Sequence, residues 1–413
     1  NAPNLFLINP NGITFGPNSS LLLPGSFTAS TADAMLFDQG QTFSAIAPNA
    51  APLLTISAPT GLQFGHSPTD ITLDHAQLFV PASKSLTFLG GNVSMTGGSL
   101  TAEGGNITLG GLLGVGTART IGSDITLEGE RSHVTLENAA RVSVSANQSG
   151  TIGIQAHSIQ LSEGSQLQAN LVAGGNQHDT VGGNITLDAT GNTTLDGAST
   201  IFNTVETGAV GQGGNINVTT HNLSLLEDAQ IVAGTNSTGT AGDINISARE
   251  LVLISGTSSG RGRNRSAVFN NPSRVSNGQG GNINITTTDL VLTDGGRLST
   301  EVLGTGNGGN ITVTATENIS IDGASNESRI DAEANKGSTG DASNVTLNTT
   351  HLNLTNGGTI SLETEGAGNS GTLLIRASGS VSLTDENADD GGSRIDAESD
   401  KKATGNGGNV VIE

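Results

Sequence analysis

The residues best able to do chemistry in this chain are carboxylates, and what matters is whether any two are held together. Glycoside cleavage needs a pair about 5 to 9.5 Å apart across a groove. His178, Asp179 and Asp188 lie near one another in sequence. Asp331 and Asp396 occupy the same place in two copies of one pentapeptide, Arg329-Ile330-Asp331-Ala332-Glu333 and Arg394-Ile395-Asp396-Ala397-Glu398. The first group flanks a turn. The second pair is two repeat units apart, roughly 10 Å at about 4.8 Å per stacked strand. With no Trp or Tyr there is also no large sugar platform. Hydrolase or lyase chemistry is therefore disfavoured.

The other chemistries fare no better. The seven His, at 66, 75, 133, 157, 178, 221 and 351, form no His-x-x-x-His and no two-His-carboxylate grouping. A Gly-x-Ser-x-Gly elbow is missing, and the glycine-rich stretches lack the Lys-Ser/Thr pair and following helix of a phosphate loop. Zero Cys removes disulfides and thiolate chemistry together. From Glu301 onward lie 17 of the 37 acidic residues, among them Asp385, Glu386, Asp389 and Asp390. Calcium is the one metal whose oxygen chemistry suits such a stretch. The spacings of its usual loops are missing, so a solvated face is expected there. The sequence points to no catalytic centre, no cofactor and no metal site.

What must position these residues is a repeat. Gly90-Gly91-Asn92-Val93, Gly104-Gly105-Asn106-Ile107, Gly182-Gly183-Asn184-Ile185, Gly213-Gly214-Asn215-Ile216, Gly242-Asp243-Ile244, Gly280-Gly281-Asn282-Ile283, Gly308-Gly309-Asn310-Ile311 and Gly407-Gly408-Asn409-Val410 share one corner. From Ile185 the apolar anchors step by 31, 28, 39 and 28 residues, and Val345 follows 34 further on. Within a unit the period is two: Ile311 and Val313 fall on one face of a strand but on different faces of a helix. Each unit offers three short strand candidates separated by polar turns. A sandwich or propeller could use such strands, but neither requires the same corner at each step, whereas stacked coils do. The fold expected is all-β: a single-stranded right-handed parallel β-helix, a solenoid of about 15 coils and about 70 Å, from about 28 residues and about 4.8 Å per coil.

At the corner, Gly accepts positive φ and close approach to neighbouring coils, and Asn can hydrogen-bond to its counterpart one coil away. Asn184, Asn215, Asp243, Asn282, Asn310 and Asn409 are the expected ladder, with fold support as their role. The row Ile185, Ile216, Ile244, Ile283, Ile311 and Val410 should point inward. One coil is longer, and its excess, Thr257 to Gly280, carries Arg261, Arg263, Arg265 and Arg274. This reads as surface variation, with a contact patch for an acidic partner as the alternative. The balance of 16 basic against 37 acidic residues, a net charge of -21, excludes nucleic acid as a partner.

The first 88 residues differ in texture. They hold eight of the ten Phe and most of the Pro, so extra strands over a wider core are expected there. Residues 4 to 16, Asn-Leu-Phe-Leu-Ile-Asn-Pro-Asn-Gly-Ile-Thr-Phe-Gly, with Gly25-Ser26-Phe27-Thr28-Ala29-Ser30-Thr31, Phe43-Ser44 and Gly61-Leu62-Gln63-Phe64-Gly65, resemble the later half of the secretion domain of filamentous-haemagglutinin-type proteins, especially the large cyanobacterial ones. The signature is the turn Asn9, Pro10, Asn11 and Gly12. Residues 1–89 are accordingly assigned to that domain and 90–413 to a repeat region with coils of roughly 28 to 39 residues. Because Leu5 to Ile8 is already strand-like, a fragment of a longer protein is expected.

The resemblance implies a two-partner secretion exoprotein: recognised by a TpsB-type outer-membrane β-barrel transporter, threaded out unfolded, and folded at the cell surface. The expected function is that of an extracellular or outer-membrane-associated structural or adhesive protein. A surface glycan or protein receptor and end-to-end self-association are its expected contacts. The alternatives are the stalk of a larger secreted toxin or enzyme and a polysaccharide-active β-helix enzyme.

Overall fold

The computed structural model describes residues 3–47, 58–121, 124–174, 180–256, 265–272, 276–323, 326–385 and 392–413. Alternation of apolar and polar side chains decides its architecture. In Ile283–Thr293, Ile283, Ile285 and Thr287 are buried; the phase then slips by one residue and Leu290 and Leu292 are buried. A strand that slips phase in this way must bend, and the bend keeps both halves facing one interior. The coils close around that interior as a parallel β-helix, with Leu5–Ile8, Phe27–Ser30, Leu86–Gly90, Ile107–Gly111, Ile152–Ala156, Ile185–Ala189, Ile216–Leu226, Ile244–Ser255, Ile283–Thr293, Ile311–Asp322, Val345–Thr355, Thr372–Thr384 and Asn409–Ile412 stacked in one parallel column. A second parallel sheet runs along another side, from Gln77–Phe79 to Arg394–Ser399. Among the described residues there is no α-helix, only a 3-10 turn at Asp38–Gly40.

Two expectations change. Coils such as Ile152–Ala156, Ser158–Leu161 and Gln166–Gln168 have three separate strands. From Ile216 onward the first two strands fuse into one bent strand, as in Ile311–Asp322, whose pairing register with Ile283–Thr293 shifts between Thr287 and Asp289. The column also has thirteen rungs, not about 15, spanning about 58 Å at about 4.8 Å per step. The missing rungs are spent on two excursions that leave the helix and return. Their strands, Ala34–Leu36, Thr42–Ser44, Gly61–Phe64, Gly116–Ile121 and Asp124–Glu128, form an antiparallel sheet.

That sheet packs Met35, Leu62, Phe64, Ala118 and Leu127 against Leu89 and Leu112 of the coils. It crosses residue 90, since two of its strands come from 116–128. Inside the first coils, Phe15, Phe27 and Phe88 meet edge to face with ring centroids 5.8 to 6.2 Å apart. Ile185, Ile216, Ile244, Ile283 and Ile311 are fully buried in one row. Val410 is in register with Leu373 but 41% exposed, because no described coil lies over it.

Candidate functional site

The turn Asn9–Gly12 joins Leu5–Ile8 to Ile13–Phe15. Asn9 braces it from both ends: its side-chain amide donates to the Gly12 carbonyl at 2.9 Å, and its side-chain oxygen accepts from the Asn11 N–H at 3.2 Å. The Gly12 N–H returns to the Asn9 carbonyl at 3.1 Å. Within the turn Gly12 alone is left-handed, with φ of 100°. The next coil clamps the loop. Thr69 Oγ1 donates to the Pro10 carbonyl at 2.7 Å, and Thr31 Oγ1 donates to the Thr69 carbonyl at 2.6 Å. Asn9 is therefore spent internally, and Asn11 is the exposed member.

The corner residues form a stair between coils. The side-chain oxygens of Asn184, Asn215, Asp243, Asn282 and Asn310 accept the backbone N–H of Asn215, Asp243, Asn282, Asn310 and Asn344 respectively, at 2.7 to 3.1 Å. Asn344 then accepts from Thr372 at 2.8 Å. The bonds thus run from side chain to backbone, and amide-to-amide contact is secondary. Earlier rungs use the same position: Asn4 accepts from Ser26, Ser26 from Ser85, Ser85 from Asn106 and Asn106 from Thr151, at 3.0 to 3.2 Å. The stair is interrupted where threonine stands. Thr151 turns its hydroxyl back to Asn106, at 2.9 Å, and above Thr372 the Asn409 N–H goes to the Gly371 carbonyl at 3.3 Å.

A second stair, three residues earlier in each coil, escaped the sequence reading. Gln279 accepts from Asn307, Asn307 from Asp341, Asp341 from Asn369 and Asn369 from Asn406, at 2.8 to 3.2 Å. Its signal was present, as an amide or carboxylate three positions before Asn282, Asn310, Asn344, Thr372 and Asn409. Between the stairs sits glycine, for reasons of space. A Cβ on Gly214, Gly242 or Gly309 would lie 1.9 to 2.0 Å from the carbonyl oxygen of the glycine one coil below. None of these three has positive φ, so close approach is what demands glycine there.

The second sheet carries a charged face that the sequence reading placed in solvent. Arg297 Nε and Nη2 each donate to Asp331 at 2.6 Å, and Nη2 also reaches Glu301 at 2.5 Å. Arg329 Nε lies 3.2 Å from Asp331, and Ser299 donates to Asp331 at 2.7 Å. Asp331 is 0% exposed. Glu301, Glu333, Glu363 and Glu398 stand in register on successive coils. Glu301, Asp331 and Glu333 bring carboxylate oxygens within 4.8 Å of one another. Because Asp331 is already hydrogen-bonded to the Arg297 guanidinium and the Ser299 hydroxyl and paired with Arg329, the cluster works as an ion-pair network.

Burial, and then the Asp331 charge, push the Glu333 carboxyl up to about 7 against the opposing pull of Arg329 and Arg297. Between about pH 4.5 and pH 7 the folded protein therefore holds a proton that the unfolded chain has released. Stability from this group is complete below that window and falls as pH rises through it, by up to about 3 kcal/mol. Glu333→Gln is expected to match the wild type in urea midpoint at pH 5 and to exceed it at pH 8. Parallel curves would show that Glu333 ionises freely.

The remaining candidates are dispersed. Asp188 pairs with Arg131 at 2.9 Å, and Arg131 also donates to the Asp188 carbonyl at 3.0 Å. Asp331 and Asp396 are two coils apart, with Ser361 between them. Arg265 donates to the Glu327 carbonyl at 3.1 Å. Asp385 accepts from Ser393 and from the Gly357 N–H, which holds its carboxyl below the usual range. His178, Asp179, Arg261, Arg263, Arg274, Glu386, Asp389 and Asp390 lie outside the described residues.

Fold and turn together define a β-solenoid whose opening coils carry a packed antiparallel sheet. Residues 1–147 match the family model of the TPS secretion domain. That match marks the chain as a substrate of two-partner secretion, carried across the outer membrane with a TpsB-type transporter as its export partner. It takes in both excursions and ends just after the strand Arg141–Ser143. No curated protein matches the chain.

Proposed function

We propose that this exoprotein is a structural and adhesive rod of the cell surface, associated with the outer membrane, and that it works through extended surface without a catalytic centre. The observation that carries this reading is the unbroken column of coils continuing from the region that matches the secretion domain. A parallel solenoid presents the same side-chain positions again and again, so weak contacts sum into avidity. The two stairs then serve as fold support, and the Asn9–Gly12 turn shapes the corner beside which the transporter reads its substrate.

The purified protein is expected to adhere to cell surfaces in a saturable way and to turn over no member of a panel of neutral and acidic polysaccharides. Turnover abolished by Asp188→Asn would overturn the non-enzymatic reading, and failure to adhere to any surface tested would overturn the adhesive one.

A further inference from the structure

Only two phenylalanines follow residue 90, Phe202 and Phe269, and the fold brings them to one place. They share an outward column on the second sheet, with Val232 between them on the intervening coil. Both are half-buried. Gly234 stands beside that column where neighbouring coils carry Thr204 and Asn271, and its missing side chain opens a groove of about 540 Å³. Its floor is the apolar column. One wall carries the Glu206 carboxylate, held by Asn170 at 3.1 Å and Thr204 at 2.8 Å, and Gln168 and Gln230 line the groove elsewhere. At the far end Arg297 lies 5.8 Å from the Phe269 ring centre, its charge already committed to Asp331 and Glu301.

We propose that this groove binds a neutral, linear glycan laid along the helix axis, an inference that rests on the adhesive reading above. An extended hexopyranose chain advances by nearly one coil rise per sugar, so the two rings, about 9.6 Å apart at two rises of about 4.8 Å, meet every second sugar. Phenyl faces pack against the apolar C–H face of a pyranose, while amides and a fixed carboxylate take its hydroxyls. Charge selects the neutral class. Among the described lining residues Glu206 is the carboxylate outside any ion pair and Arg297, the one cation, is internally paired, so a polyanion finds repulsion here, on a chain of net charge -21.

The test is calorimetric titration of the full chain with hexasaccharides of β-1,4-glucan, mannan and xylan, and with polygalacturonate and heparin fragments. At least one neutral hexasaccharide is expected to bind, with affinity unchanged by added salt. Phe202→Ala and Phe269→Ala are each expected to weaken it about tenfold, a loss the size of one stacking contact. Phe79→Ala, 57% exposed on the same sheet outside the groove, should change nothing. If either alanine variant melts early, Phe202→Leu and Phe269→Leu keep the apolar volume and remove only the ring face.

Binding of no neutral glycan, preference for the polyanions, or full affinity in the double variant would each overturn the groove assignment. Cell adhesion separates the two claims. A double variant that adheres like the wild type would sink the groove and leave the adhesive reading intact, whereas a wild type that adheres to nothing would sink the reading itself.

Discussion

Ile283→Ala is expected to lower stability by about 2 to 5 kcal/mol, through lost burial together with the cavity left behind. Ile283 is fully buried and paired with Ile244 below and Ile311 above. Each coil contacts only its neighbours, so a void at an interior rung weakens two interfaces at once. The same truncation at Val410, in register but half-uncovered, should cost within about 0.5 kcal/mol. Urea unfolding measures both costs. Hydrogen exchange should show the loss of protection centred on the strands flanking Ile283. Equal costs at the two sites would show that the row is not a stacked core.

Arg297→Met should be as damaging, by about 3 to 5 kcal/mol, because it strips both short bonds from a carboxylate with no access to water. Arg329 at 3.2 Å and Ser299 remain as partners and hold the loss toward the lower end. The double change Arg297→Met with Asp331→Leu removes the orphaned charge and should recover most of the stability, since a buried ion pair and an apolar pair of similar volume differ little. Urea midpoints of the two variants decide it. A single variant costing under about 1 kcal/mol would mean that water reaches Asp331.

The contrast between these two sites shows what was legible in the sequence. Ile283 could be placed because its inward position follows from a local period of two and a corner that recurs beside it. Asp331 could not, because its burial depends on Arg297 one coil below and on the reach of two guanidinium groups over it; the pentapeptide repeat showed recurrence but not depth. Rung number went astray for a similar reason. Dividing length by repeat length assumes every residue lies on the helix, and the strands at Gly61–Phe64 and Gly116–Ile121 find their partners outside it. The groove at Phe202 and Phe269 was also hidden, since two residues 67 apart in the chain become neighbours only through coil register.

The stairs have a polarity. Wherever a stair bond forms, the acceptor is a side chain on the earlier coil and the donor is a backbone N–H on the later one. A finished coil thus offers its successor a row of pre-placed acceptors, while the successor's corner N–H groups have no partner of their own until they dock. Assembly is templated in the order of the sequence, each coil serving as the mould for the next. For a substrate of two-partner secretion, the growing end of the rod is its own scaffold.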